Sequence, residues 1–222
     1  MLVIRKSYIL FVCIAGAVFL TGCLKQQTPV EKMYEVLENV VASEEAFEAQ
    51  QVPLVELEKK EKEIYDKIIS LGMKQFEEIT KLSNEASAIV DQRKKHIEKE
   101  EESIRASEKE FKELKPIIKD LKNPSLKEKS LQLYETMTER YKIHDELYLD
   151  YSKAIELDKE LYAMFKNENI QLDQLEDQIT KINEEYGKVL EANEKFNDKT
   201  KQYNEMKLSF YKESGLDVNL KE

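Results

Sequence analysis

Apolar side chains return every three or four residues through almost the whole chain, and that spacing is the period of a helix rather than of a strand. The first stretch carries Met33, Leu37, Val40, Phe47, Leu54, Tyr65 and Ile68. The second runs through Phe76, Ile79, Ala86, Val90, Ile97, Ile104, Phe111, Leu114, Ile118 and Leu121. The third holds Leu126, Leu133, Met137, His144, Leu147, Tyr151, Ile155, Tyr162 and Phe165, and the fourth is the most regular, from Leu172 and Leu175 through Tyr186 to Phe210. No alternating run and no hairpin signal competes with this pattern.

Three breaks divide the pattern: Ser70-Leu71-Gly72, Asn123-Pro124-Ser125 and the polar run Lys166-Asn167-Glu168-Asn169, with a final stop at Ser214-Gly215. They leave four segments of roughly 42 residues, each about 63 Å long at the α-helical rise. Thr28-Pro29-Val30-Glu31 has the spacing of a capping box with proline at the first helical position. Ser125 is the expected cap of the third helix, and Pro116 can end the second one early. Glu44, Gln51, Glu58 and Glu61 interrupt the first seam, and Pro53 is expected to bend or break it. Equal segments joined by short turns imply an all-α fold, an elongated up-down-up-down four-helix bundle with coiled-coil-like seams. The alternative is a short first helix ending at Pro53, set on a longer three-helix bundle. Charged residues at 36%, with only 5 Gly and 4 Pro, suit such solvent-laced helices, and 41% hydrophobic residues supply a core.

The amino terminus has a different character. Arg5 and Lys6 precede an uncharged run from Ser7 to Leu20, which is too short to span a bilayer as a permanent helix and has the order of an export signal. It closes on Leu20-Thr21-Gly22-Cys23, the pattern of a lipobox. Small residues before the cut let the chain lie extended in a peptidase, and the Cys23 thiol takes up the diacylglyceryl group. Acyl chains contribute about 0.8 kcal/mol per buried methylene, so two or three of them make a stable anchor. The expected division is therefore a signal peptide at 1–22, the lipidated cysteine and a short link at 23–29, the bundle at 30–215 and a tail at 216–222.

Net charge is −10, and loss of Arg5 and Lys6 takes it to about −12, so nucleic acid is excluded as a partner for want of a basic footprint. Cys13 and Cys23 are the only cysteines, so the body has no thiol for zinc or nucleophilic catalysis.

The lipobox leader, the short link and about 190 residues of Glu/Lys-rich heptad helix together resemble the cell-wall-binding lipoproteins of low-GC Gram-positive bacteria, the YkyA-like family. The resemblance covers the full length. It implies a four-helix bundle at the cell envelope, lipid-anchored on the outer face of the membrane, and it transfers one residue, Cys23, as the lipidation site.

Four constellations were weighed for chemistry. His96 and His144 are the only histidines, and both fall on or beside apolar seams; no His-Glu-x-x-His, serine elbow or phosphate loop accompanies them. No catalytic residue, metal ligand or cofactor is expected. Runs such as Glu100-Glu101-Glu102 are expected to be the solvated faces of charged helices. Tyr134, Tyr141, Tyr148 and Tyr162 follow sevenfold spacing, with Ile155 in the missing place, and make one stripe: an aromatic platform, or the edge of the core. Lysines crowd the turn between the second and third helices, with Lys115, Lys119, Lys122, Lys127 and Lys129 as a candidate surface for membrane headgroups or a polyanionic polymer. The expected function is a non-catalytic envelope protein that binds or scaffolds, with the membrane, peptidoglycan, teichoic acid or an envelope protein as partner. The alternative is a helical extracytoplasmic chaperone or adaptor, which would expose apolar residues off its seams.

Overall fold

A computed structural model describes residues 27–71 and 75–216. They form α1 (Pro29–Ser70), α2 (Phe76–Phe111), the short α3 (Leu114–Lys119), α4 (Pro124–Met164) and α5 (Leu172–Glu213), with no strand among the described residues. The helices divide into two compact units. The first is built from residues 46–101 and 145–193, and the second takes the described residues from 27–45, 102–144 and 194–216. In each unit the consecutive long helices run antiparallel. Hydrogen bonds from α2 to α1 (Arg93 to Glu61) and from α5 to α4 (Tyr186 to Asp158) join these pairs in the first unit. In the second, the same is done by Ser107 to Glu44 and Arg140 to Thr200. This is the up-down-up-down bundle.

The helix ends are fixed by local chemistry. At the start of α1, Thr28 Oγ1 accepts from the Glu31 amide (3.2 Å), while the Glu31 carboxylate accepts from the Thr28 amide (2.7 Å), a complete capping box. At the end of α5, Gly215 takes φ +73°, and the Leu216 amide reaches back to the Tyr211 carbonyl (3.2 Å) in a Schellman closure. The cap of α4 is Asn123, not Ser125 as the sequence suggested. Its side-chain oxygen accepts from the amides of Ser125 and Leu126 (3.0 and 3.2 Å), and Pro124 occupies the first helical position, where its missing N–H costs nothing.

Two prolines act differently from one another. Pro53 neither ends nor divides α1, which rules out the short-first-helix arrangement. Its missing N–H frees the carbonyl of Ala49, which is exposed and can be met by water, while buried Phe47, Leu54 and Leu57 hold the helix on either side. Pro116 does end α2. The chain leaves the helix at Lys112–Glu113, one turn ahead of the proline ring, and winds again as α3 with Pro116 in its first turn. The second long segment is thus one helix and a short return. The expected stop at Gly72 lies outside the described residues.

Each unit has its own core. Leu54, Ile64, Ile79, Ala86, Val90, Ile155, Tyr162 and Val189 belong to that of the first. Met33, Leu37, Ile104, Phe111, Leu114, Ile118, Leu133 and Phe196 fill the second, all at 1% exposure or less. Burial of large aliphatic and aromatic side chains contributes about 1.5–3 kcal/mol each, which is what holds helices this rich in charge.

Candidate functional site

Both cores are interrupted by charge. In the first unit Arg93 of α2 is buried at a seam position between Val90 and Ile97. Its Nη1 donates to Glu61 of α1 (2.6 Å) and Asp158 of α4 (3.0 Å), and its Nη2 donates to the hydroxyls of Tyr151 (2.8 Å) and Tyr186 (2.5 Å). Those hydroxyls pass their own protons on, Tyr151 to Glu58 and Tyr186 to Asp158, while Tyr162 donates to Glu61 (3.1 Å). Side chains from all four long helices meet on one guanidinium. In the second unit Arg140 of α4 makes a two-pronged pair with Glu44 of α1, both contacts at 2.8 Å, and its Nε donates to Thr200 of α5 (2.8 Å). Ser107 of α2 donates to the same carboxylate (2.6 Å) and bonds the Tyr141 hydroxyl (2.7 Å). Beside Arg140 lies a cavity of about 10 Å³ between Val40, Glu44, Thr200 and Tyr203, room for one water.

The electrostatics follow from burial. Burial opposes the charge on Arg93, but Tyr151, Tyr186, Glu61 and Asp158 together raise its pKa well above the ordinary value, so it stays charged. Burial lifts Glu61 to about 7, against the pull of Arg93. Asp158 is raised as well, again mainly by burial. Glu100 of α2 is buried, not on the solvated face expected of its run. It is pushed up to about 8 by burial first and by the charge of Glu58 second, and it accepts a hydrogen bond from Gln51 (2.6 Å). These groups spend their donors and acceptors on one another, so the networks hold helices in place.

The sequence reading missed these networks. Glu44, Glu58 and Glu61 entered it as flaws in the first seam. The signal was that Arg93 and Arg140 occupy seam positions of other helices, where an unpaired charge is untenable.

The predicted residues fall as follows. Cys23 and the leader lie outside the described residues. Lys115, Lys119, Lys122 and Lys129 are exposed, and Lys127 is half-buried, all on α3, α4 or the turn between them. Lys127 donates to the Lys119 carbonyl (2.7 Å), Lys129 pairs with Glu213, and Lys115 lies 5.9 Å over the Tyr134 ring. The tyrosine stripe is divided between the units. Tyr134 stacks on Phe111 at 5.2 Å and Tyr141 is buried on Ser107 in the second. Tyr148 packs at the core edge and Tyr162 is buried on Glu61 in the first. His96 Nδ1 bonds Gln50 (2.8 Å), and burial lowers its pKa. His144 is buried, its ring 5.5 Å from Phe196.

Comparison with known proteins gives the chain its place. Residues 28–213 match the YkyA family model, described as "Putative cell-wall binding lipoprotein". A relative from Bacillus subtilis (strain 168), the uncharacterized lipoprotein YkyA, is 37% identical over 204 residues, covering 92% of this chain and 91% of its own. The fold is also that of a conserved protein of unknown function from Staphylococcus aureus, whose crystal structure aligns with a TM-score of 0.67 at 20% identity. That alignment covers 84% of this chain and 97% of the other. The chain belongs to the YkyA family of lipoproteins.

Proposed function

We propose that the chain is a lipoprotein held on the outer face of the cell membrane by acyl chains on Cys23, after removal of residues 1–22. Its helical body serves there without catalysis, binding a component of the wall or scaffolding one. The observation that carries this reading is the family match, which spans the helical body from Thr28 to Glu213 and begins just after the lipobox Leu20-Thr21-Gly22-Cys23. The buried carboxylates fit a role without catalysis, because Glu44, Glu61 and Asp158 are committed to arginine and tyrosine partners inside the body.

The test is co-sedimentation of the body, Leu24 to Glu222, with purified cell walls before and after teichoic acid is stripped. Saturable binding is expected, and its loss on stripping would identify the polymer. Absence of binding to either preparation would overturn the wall-binding role. One observation favours a second reading, a chaperone or adaptor for an envelope protein. Val52, Val55, Leu149 and Leu190 stand exposed off the seams of the first unit, Val52 by 68%, and Leu172, expected on the fourth seam, is exposed as well. Capture of a defined envelope protein by the wild type, lost on Leu149→Ser/Leu190→Ser, would support it.

A further inference from the structure

The second unit gathers one end of several helices. Tyr34 near the start of α1 packs on Tyr211 near the end of α5, with ring centroids 5.3 Å apart, and the Tyr211 hydroxyl donates to Glu38 (2.8 Å). Lys129 in the second turn of α4 reaches Glu213 at the end of α5. Leu114 and Ile118 bury the inner side of α3 in the same unit. The start of α1, all of α3, the start of α4 and the end of α5 therefore share one end.

Lysine marks that end. Residues 109–129 hold seven lysines against Glu110, Glu113, Asp120 and Glu128, a surplus of three positive charges on a chain whose net charge is −10. Lys109, Lys112, Lys115, Lys119, Lys122 and Lys129 are exposed. Lys112 pairs with Glu108 (2.9 Å) and Lys129 with Glu213, whereas Lys119 and Lys122 have no acid in ion-pair reach among the described residues. Nearby α1 contributes Glu31, Lys32, Glu35 and Glu38, a net −2 that leaves the shared end weakly positive and the surplus local to the turn.

The chain enters at this same end. The capping box fixes it at Thr28, and Gln27 donates to Glu35 (3.2 Å). Only three residues separate Gln27 from Cys23. Even fully extended, that link spans about 14 Å, less than two Debye lengths at physiological salt. An anchor at Cys23 therefore keeps the start of α1, and with it the end of the unit that carries the lysine turn, close to the headgroup layer.

We propose that this lysine-rich end of the second unit docks on the anionic phospholipid headgroups of the membrane that holds the anchor. The proposal rests on lipid attachment at Cys23. The surplus charge attracts the headgroup layer while the strongly acidic remainder of the chain is repelled, so contact is confined to this end.

The experiment uses the mature lipoprotein purified from membranes and reconstituted into vesicles of phosphatidylcholine, alone or mixed with phosphatidylglycerol. A Glu128→Cys substitution carries a fluorophore, and a headgroup-bound quencher reports its distance from the surface. Quenching is expected in the mixed vesicles, much less in phosphatidylcholine, and it should fade as salt is raised. Lys115→Gln/Lys119→Gln/Lys122→Gln should lower the docked-to-undocked ratio about fivefold per lysine. Lys59→Gln/Lys60→Gln/Lys67→Gln, an equal charge change in the first unit, should leave it unchanged. Equal quenching in both vesicles, or quenching indifferent to salt, overturns the proposal on the wild-type turn alone, whatever the triple variant does to folding. Protein that fails to float with either vesicle overturns the anchor as well, and so separates the two failures.

Discussion

Glu100 is buried on α2 with the charge of Glu58 close by, and these two effects, burial first, raise its pKa from an ordinary 4.5 to about 8 although the Gln51 amide donates to it. In the unfolded chain the same carboxyl ionises normally. The folded state therefore binds the extra proton between those values, and the stability this contributes is complete below about pH 4.5 and lost as pH rises through about 8. Glu100→Gln keeps the shape and removes the titration. It should raise stability above pH 8 by several kcal/mol, up to about 5 if the whole rise is expressed, and by less than about 1 near pH 5, read from urea midpoints. An equal gain at both pH values would mean that burial of Glu100 is not the cause. The Glu44–Arg140 pair supplies a second residue-scale expectation. Arg140→Met strands a carboxylate that is only 2% exposed, and should cost about 3–5 kcal/mol, whereas Glu44→Leu/Arg140→Met should recover most of the loss. A single variant that unfolds like wild type would show that the pair carries no net stability.

At the scale of the helix, Asn123 takes up two amides at the start of α4, and Asn123→Ala should cost about 1 kcal/mol in chemical denaturation. Gly187 lies exposed inside α5, and an added Cβ there would meet nothing within 4 Å. Gly187→Ala should therefore stabilise by about 0.5–1 kcal/mol, and a loss would point to a neighbour approaching that face. The helices themselves were legible because their apolar period persists through all four segments despite the charged breaks in the first, and the ends at Thr28 and Gly215 were legible because capping is local chemistry. Pro116 was legible as an early stop of α2, whereas Pro53 was not. Buried apolar residues flank both rings, Phe47, Leu54 and Leu57 around one and Phe111, Leu114 and Ile118 around the other, so the pattern alone does not say which proline a helix carries through. Nor could sequence spacing alone say that Glu61, Arg93 and Asp158 meet, since that needs three helices at one level.

At the scale of the whole molecule, a net charge of −10 makes the lysine-rich turn of the second unit the exception on an acidic chain, which suits the proposed contact with a charged surface at that end. That end was legible from the lysine run and the topology, whereas the arginine networks needed the packing. Replacing residues 1–23 by a secretory signal peptide that has no lipobox should move the protein from the membrane fraction to the medium without altering the helical content of the body, as fractionation and circular dichroism would record. Retention on the membrane would show that another segment holds it there. The hard start of α1 has a consequence for maturation. Proline at position 29 disfavours helical geometry at Thr28, so the helix cannot wind backward past its cap. On the proposed anchoring, lipid transfer and cleavage would act on the chain a few residues upstream and would need it extended. With Pro29 as a ratchet, the body can complete its first helix while still tethered to the leader, and folding need not wait for the enzymes to finish.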